Sequence, residues 1–192
     1  MGRLIMWNLV TLDGYFEGAD KWSLDWHDTA WGDELEEVSI AQLRSAAMLL
    51  FGRVTYQGMA SYWPTAEGES PEIADLMNSI PKVVFSTTLD RAGWTNTRLL
   101  SGNPLEEVPR LKGESSHDIF LFGSAILASS LMPAGLIDEY RLCYAPVVLG
   151  EGTPLFKPSD HSTRMRLIDA RPLKSGAIIL RYEPVQISGG GA

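Results

Sequence analysis

The chain has 192 residues, a hydrophobic fraction of 45% and a formal net charge of −8. This length fits one domain with a sizeable core, and this composition excludes an intrinsically disordered chain. The acidic balance argues against nucleic acid as a partner, because phosphate backbones are met by basic surfaces.

The amino-terminal stretch lacks the long apolar region and small-residue cleavage site of a secretory leader. Residues 3–12 instead read as a first strand, ending in the turn signal Asp13-Gly14. Asp13 is either a turn carboxylate or a polar group facing a pocket beyond the strand. Residues 17–32 are polar and hold Trp22, Trp26 and Trp31, the pattern of a loop that covers a ligand or is pinned by its aromatics. His27 lies between Asp25 and Asp28, but His117 and His161 are distant and no H-E-x-x-H pattern exists, so no metal site is expected. Residues 33–47 read as a helix with acids in its first turn, where the helix dipole favours them.

Met48 to Tyr56, MLLFGRVTY, is the stretch around which the rest is organised. An apolar strand stops at Gly52 and restarts as a helix over 56–62, leaving free backbone N–H groups beside Arg53. A guanidinium there suits a phosphate. A helix over 72–79 follows, opened by Pro71 and ended before Pro81. Lys82–Phe85 is a compact strand followed by Ser86, Thr87 and Thr88, hydroxyls that cap a turn or meet a ligand. Residues 97–100 form another strand, and 105–111 a helix with Asn103 as N-cap and Pro104 at N1.

Residues 118–122 repeat the architecture of Gly52. A buried strand stops at Gly123-Ser124-Ala125 and a helix follows over 126–132. Residues 139–148 read as a long strand with Pro146 marking a bulge or edge. Residues 165–170 and 177–182 form a closing hairpin, and the glycine-rich end is a flexible tail over 185–192. The single cysteine, Cys143, excludes an internal disulfide and fits a reducing cytoplasm. No apolar run approaches the roughly 18 residues of a membrane span.

Strands alternating with helices predict an α/β fold in one domain, 1–184: a mainly parallel central sheet, helices on both faces, and a C-terminal antiparallel hairpin. Ligands of such sheets bind outside the strand carboxyl ends. Gly52-Arg53-Thr55, Ser86-Thr87 and Gly123-Ser124 all follow strand ends, so a nucleotide with several phosphates is the natural occupant. G-x-G-x-x-G and the P-loop pattern are both absent, and the arginine suits a terminal monoester such as the 2′-phosphate of NADP.

The ordered series TLDGY, FGRVTY, KVVFSTTL, LFGSAILASSL and APVVLGEGTPLF resembles the dihydrofolate reductase-like superfamily. Within it, the chain is most similar to the branch related to the reductase domain of bacterial riboflavin biosynthesis, over roughly residues 3–183. The resemblance implies NADPH as hydride donor and a pterin-like, riboflavin-precursor-like, carbonyl or imine substrate. It places Gly52, Arg53 and Thr55 on the cofactor phosphates, with Arg53 at the 2′-phosphate. It places Ser86 and Thr87 on the adenosine side, and Gly123, Ser124 and Ala125 at the pyrophosphate. Leu12-Asp13-Gly14 would face the substrate, with Asp13 as proton source or anchor and Trp22, Trp26 and Tyr56 as pocket walls. Glu34, Glu36 and Glu37 crowd the region where folate reductases carry an acid, and none matches it singly. One cysteine cannot supply the zinc-deaminase motifs of the bifunctional riboflavin enzyme, so a stand-alone reductase-like domain is expected. A non-catalytic nucleotide- or pterin-binding module is the alternative. A homodimer through the late strands is the expected assembly.

Overall fold

The computed structural model describes residues 1–66, 70–160 and 162–185. The chain runs β1 (Leu4–Thr11), β2 (Tyr15–Glu17), α1 (Asp33–Ser45), β3 (Ala46–Gly52), α2 (Arg53–Tyr62), α3 (Pro71–Ser79), β4 (Lys82–Phe85) and β5 (Thr97–Leu100). It continues α4 (Pro104–Glu114), β6 (Asp118–Phe122), α5 (Ala125–Leu131), β7 (Glu139–Ala145), β8 (Thr153–Pro154), β9 (Met165–Pro172) and β10 (Ile178–Pro184). Eight strands form one sheet in the order β5-β4-β3-β6-β1-β7-β10-β9. The first six are parallel, and β10 and β9 close the sheet antiparallel. The fold is α/β, with the mainly parallel sheet and final hairpin expected. β2 and β8 pair separately.

Alternation along β1 divides the core. Ile5 and Trp7 face one side with Leu35 and Leu43 of α1 and Ile73 and Met77 of α3. Leu4, Met6 and Val10 face the other with Val108 and Leu111 of α4 and Leu127 and Leu131 of α5. Strands covered on both faces have no polar side, which is why β3 and β6 read as unbroken apolar runs.

Three differences from the sequence expectation bear on the site. α2 begins at Arg53, directly after Gly52, because β-branched Val54 and Thr55 carry only a mild helix penalty. β7 ends at Ala145, since Pro146 has no N–H to continue the ladder. The loop of 17–32 contains a 3₁₀ turn over Asp25–Thr29 that buries Trp26. The expected tail lies outside the described residues from 186 onward, as does His161.

The amino ends of the parallel strands are closed by charge pairing. Glu139, the first residue of β7, is 0% exposed. Its Oε1 accepts from Arg141 Nε (2.9 Å), Arg141 Nη2 (2.7 Å) and Arg181 Nε (2.7 Å). Its Oε2 accepts from Arg3 Nη1 (3.1 Å) and Arg181 Nη2 (3.2 Å). Burial raises the pKa of this carboxyl, but Arg181 and Arg141 outweigh it and the net shift is downward. Lys82, first in β4 and buried, donates to the carbonyls of Met77 (2.8 Å), Asn78 (3.0 Å) and Ile80 (2.8 Å). It thereby satisfies the open carbonyl end of α3.

Candidate functional site

The carboxyl ends of β4, β3, β6 and β1 are adjacent, and a cleft of about 730 Å³ opens above them. Its size lies within the range of cofactor and ligand pockets. Gly52, Arg53, Thr55, Ser86, Thr87, Gly123, Ser124 and Ala125, expected from separate stretches, all line it.

Two strand-to-helix junctions are stitched together at its floor. Gly52 N donates to Ser124 Oγ (2.6 Å), and Ser124 N donates to Thr55 Oγ1 (2.9 Å). Gly123 and Ser124 both take left-handed conformations, with φ of 54° and 59°. A Cβ on Gly52 would lie 2.9 Å from Ser124 Oγ, and one on Gly123 would lie 2.9 Å from Thr55 Cγ2. The glycines therefore let the junctions approach each other, a need distinct from ligand approach. The Ser124 and Thr55 hydroxyls are likewise engaged within the protein. Ser86 Oγ accepts from Thr88 N (3.1 Å) and Leu89 N (3.0 Å), so it caps the turn after β4.

Arg53 is differently placed. It sits exposed on the first turn of α2, where Gly52 offers no side-chain cap. Its guanidinium donates only to Gln57 Oε1 (3.3 Å) of the same helix, and no carboxylate among the described residues pairs with it. An uncapped helix start beside an unpaired guanidinium suits an anionic group. Thr87, Thr88 and Ser101 add hydroxyls nearby on the lining.

The opposite wall comes from β1, β2 and the loop after it. Trp22 lines the cleft with a left-handed backbone, φ 63°. Its N–H donates to Glu17 Oε1 (2.6 Å), while Thr153 Oγ1 donates to Glu17 Oε2 (3.1 Å). The indole rests on α2: a Cβ at Gly58 would lie 1.7 Å from Trp22 Cζ2. Two side-chain nitrogens on this lining, Asn8 Nδ2 and His27 Nε2, are buried without a partner. Burial lowers the His27 pKa to about 4, so the ring is neutral near physiological pH.

Three expected site residues lie outside the lining. Asp13 Oδ1 accepts from Thr11 Oγ1 (2.6 Å) and Leu149 N (3.3 Å), and its Oδ2 from Gly150 N (2.8 Å). These bonds, the Thr11 hydroxyl foremost, hold its carboxyl below the usual range. Of its two sequence readings, the geometry is that of the turn carboxylate. Trp26 is a core side chain, set edge-on to His27 at 4.4 Å. Tyr56 is 3% exposed, and its hydroxyl accepts from Trp94 N (2.9 Å). α2 buries Thr55 and Tyr56, whereas Arg53 is exposed because it occupies the first position of the helix, at its open end. Nor do Glu34, Glu36 or Glu37 line the cleft; Glu34 Oε2 accepts from Lys174 N (2.6 Å).

Sequence reasoning missed Asn8, Glu17, His27 and the end of β5. Leu100-Ser101-Gly102 follows a strand end as Ser86-Thr87 does, so that signal was available. No group of three or more His, Cys, Asp or Glu side chains capable of holding a metal occurs among the described residues. No helix among them is long and apolar enough to cross a membrane.

A mostly parallel sheet with a strand-end cleft and a closing hairpin defines the dihydrofolate reductase-like class. The chain belongs to the RibD C-terminal domain family, whose model matches residues 3–179. It is 33% identical over 186 residues to the uncharacterized protein YyaP of Bacillus subtilis, covering 94% of each chain. Among solved structures, it resembles a putative riboflavin biosynthesis protein from Shewanella with a TM-score of 0.78, at 21% identity, covering 96% of this chain and 99% of that one. It also resembles Enterococcus faecalis dihydrofolate reductase complexed with NADP(H), with a TM-score of 0.63, at 15% identity, over 95% and 96% of the two chains. These likenesses identify the fold.

Proposed function

We propose that this protein is an NADPH-dependent reductase of a small heterocycle, pterin-like or riboflavin-precursor-like, or of another carbonyl or imine. The observation that carries this reading is the unpaired Arg53 guanidinium at the rim of a cleft built from adjacent strand ends. Arg53 would hold the 2′-phosphate, with the start of α2, Ser86, Thr87 and the Gly123-Ser124-Ala125 turn along the remaining phosphates. When bound, NADPH supplies the hydride. The chain's own part is to orient both molecules in a largely apolar cleft and to manage the proton.

Asn8 and His27 offer unsatisfied hydrogen-bonding nitrogens to a neutral heterocycle. Glu17 and His27, the titratable groups on the β1–β2 wall, take the place of Asp13 as candidates for proton handling. Asp13 holds the 149–150 loop in place. A homodimer through the segment after β7, where Val148 and Phe156 are exposed, accompanies this reading.

NADPH fluorescence titration tests it. Binding is expected in the micromolar range, and Arg53→Ala weakens it about 10- to 100-fold, the worth of a charge-assisted hydrogen bond. NADH affinity changes little in the same variant. Absence of NADPH binding at hundreds of micromolar sinks the proposal. The position of Asp13, Glu34, Glu36 and Glu37 outside the lining favours one rival, a non-catalytic binding module. NADPH oxidation with a panel of pterins, flavin precursors and quinones separates the two.

A further inference from the structure

A second groove, of about 240 Å³, lies between α1 and the antiparallel part of the sheet and shares no lining residue with the cleft. Its floor follows from strand register. Arg141 of β7 sits directly opposite Arg181 of β10, and Arg181 opposite Asp169 of β9. One step along, Ile179 of β10 faces Arg171 of β9. Two guanidiniums directly opposite each other repel. The fold tolerates the pair because Glu139 Oε1 accepts from both.

That arrangement leaves donors without acceptors. Arg181, which lines the groove, uses Nε and Nη2 on Glu139, and its Nη1 has no hydrogen-bond partner among the described residues. Arg171 makes no hydrogen bond or ion pair among the described residues, and Asp169 is the groove's own carboxylate. From the α1 side, Gln42 completes the site. It is 6% exposed, and its Oε1 accepts from Arg141 Nη1 (2.7 Å). Its Nε2 is buried with no partner. A buried amide nitrogen lacking an acceptor costs free energy that a bound oxygen would return. The walls beside it, Val38, Ala41 and Ile179, are apolar and limit water.

We infer that this groove is a binding site for a small multivalent oxyanion, a phosphate or carboxylate group. Arg171, Arg181 Nη1 and Gln42 Nε2 donate to it. Guanidinium forks match the oxygens of both groups, and the acidic remainder of the surface makes this local cation excess distinctive. The site stands apart from the proposed reductase chemistry and survives its failure.

The test titrates the full chain with inorganic phosphate and, separately, with malonate, at ionic strength held constant with sodium chloride. Thermal unfolding and calorimetry give the readouts. One saturable site with a raised Tm is expected for at least one of the two, and the better one identifies the anion's source. Arg171→Ala and Gln42→Leu each weaken binding about tenfold or more, the effect of losing one charged or otherwise unsatisfied donor. Arg171 is exposed on an edge strand, so its variant folds as the parent does. NADPH titrations are unchanged in both variants. The inference is overturned by a response no different from chloride, by wild-type affinity in Arg171→Ala, or by loss of phosphate binding in Arg53→Ala. It is equally overturned if sedimentation shows a dimer that Arg171→Ala dissociates, for a second copy then fills the groove.

Discussion

The two ends of the parallel sheet treat charge in opposite ways. At the amino end, Glu139 is enclosed by three arginines and Lys82 by three carbonyls. At the carboxyl end, Arg53 has one long bond to its own helix, and Asn8 and His27 keep unpartnered nitrogens. Buried polar groups are satisfied as a rule, so the exceptions mark where the fold waits for something else. Pairing dominates at the amino end and serves stability, with Gln42 Nε2 an exception beside the arginines, whereas its lack at the carboxyl end serves recognition.

Removing charge at each end exposes the contrast. Glu139→Gln leaves Arg141 and Arg181 without the carboxylate they share, while Arg3 keeps Asp118. Urea unfolding is expected to show a loss of about 3–5 kcal/mol, as when one member of a buried ion cluster is removed. A loss under about 1 kcal/mol would mean that the cluster is spectator to folding.

His27 gives the next effect. Its pKa is about 4 folded against 6.5 unfolded, so between these values the unfolded chain binds more protons. Stability therefore falls as pH drops through that window, by roughly 3 kcal/mol when complete. In His27→Gln that part of the slope disappears. Thermal melts of both proteins across the acid range check the difference, and parallel slopes would contradict it.

The smallest effect belongs to Arg53→Ala. Its stability is expected within about 0.5 kcal/mol of the parent, as for exposed sites without partners. The same variant carries the large loss of NADPH affinity. A substitution that spares the fold and disables binding is the signature of the open end.

What was legible in the sequence was local. The runs ending at Gly52, Phe85 and Phe122 declared buried strands, and the residues after them declared the cleft. Side-chain direction was not legible where it depends on a partner distant in the chain. Tyr56 was assigned to the pocket because its partner, the N–H of Trp94, is 38 residues away in sequence and meets it only in the fold. Trp26 misled for a related reason: an aromatic in a polar loop carries no periodicity to say which way it points. The Glu139 cluster was invisible because Arg3, Glu139 and Arg181 meet only through the strand order β1-β7-β10. Only the spacing of Glu139 and Arg141, two apart on one strand face, hinted at it.

Gly58 offers α2 no side chain of its own, and the indole of Trp22 occupies the space. The same short helix bears Arg53 on its first turn. One short helix thus braces both walls of the cleft, and any side chain at position 58 would force the indole off its support.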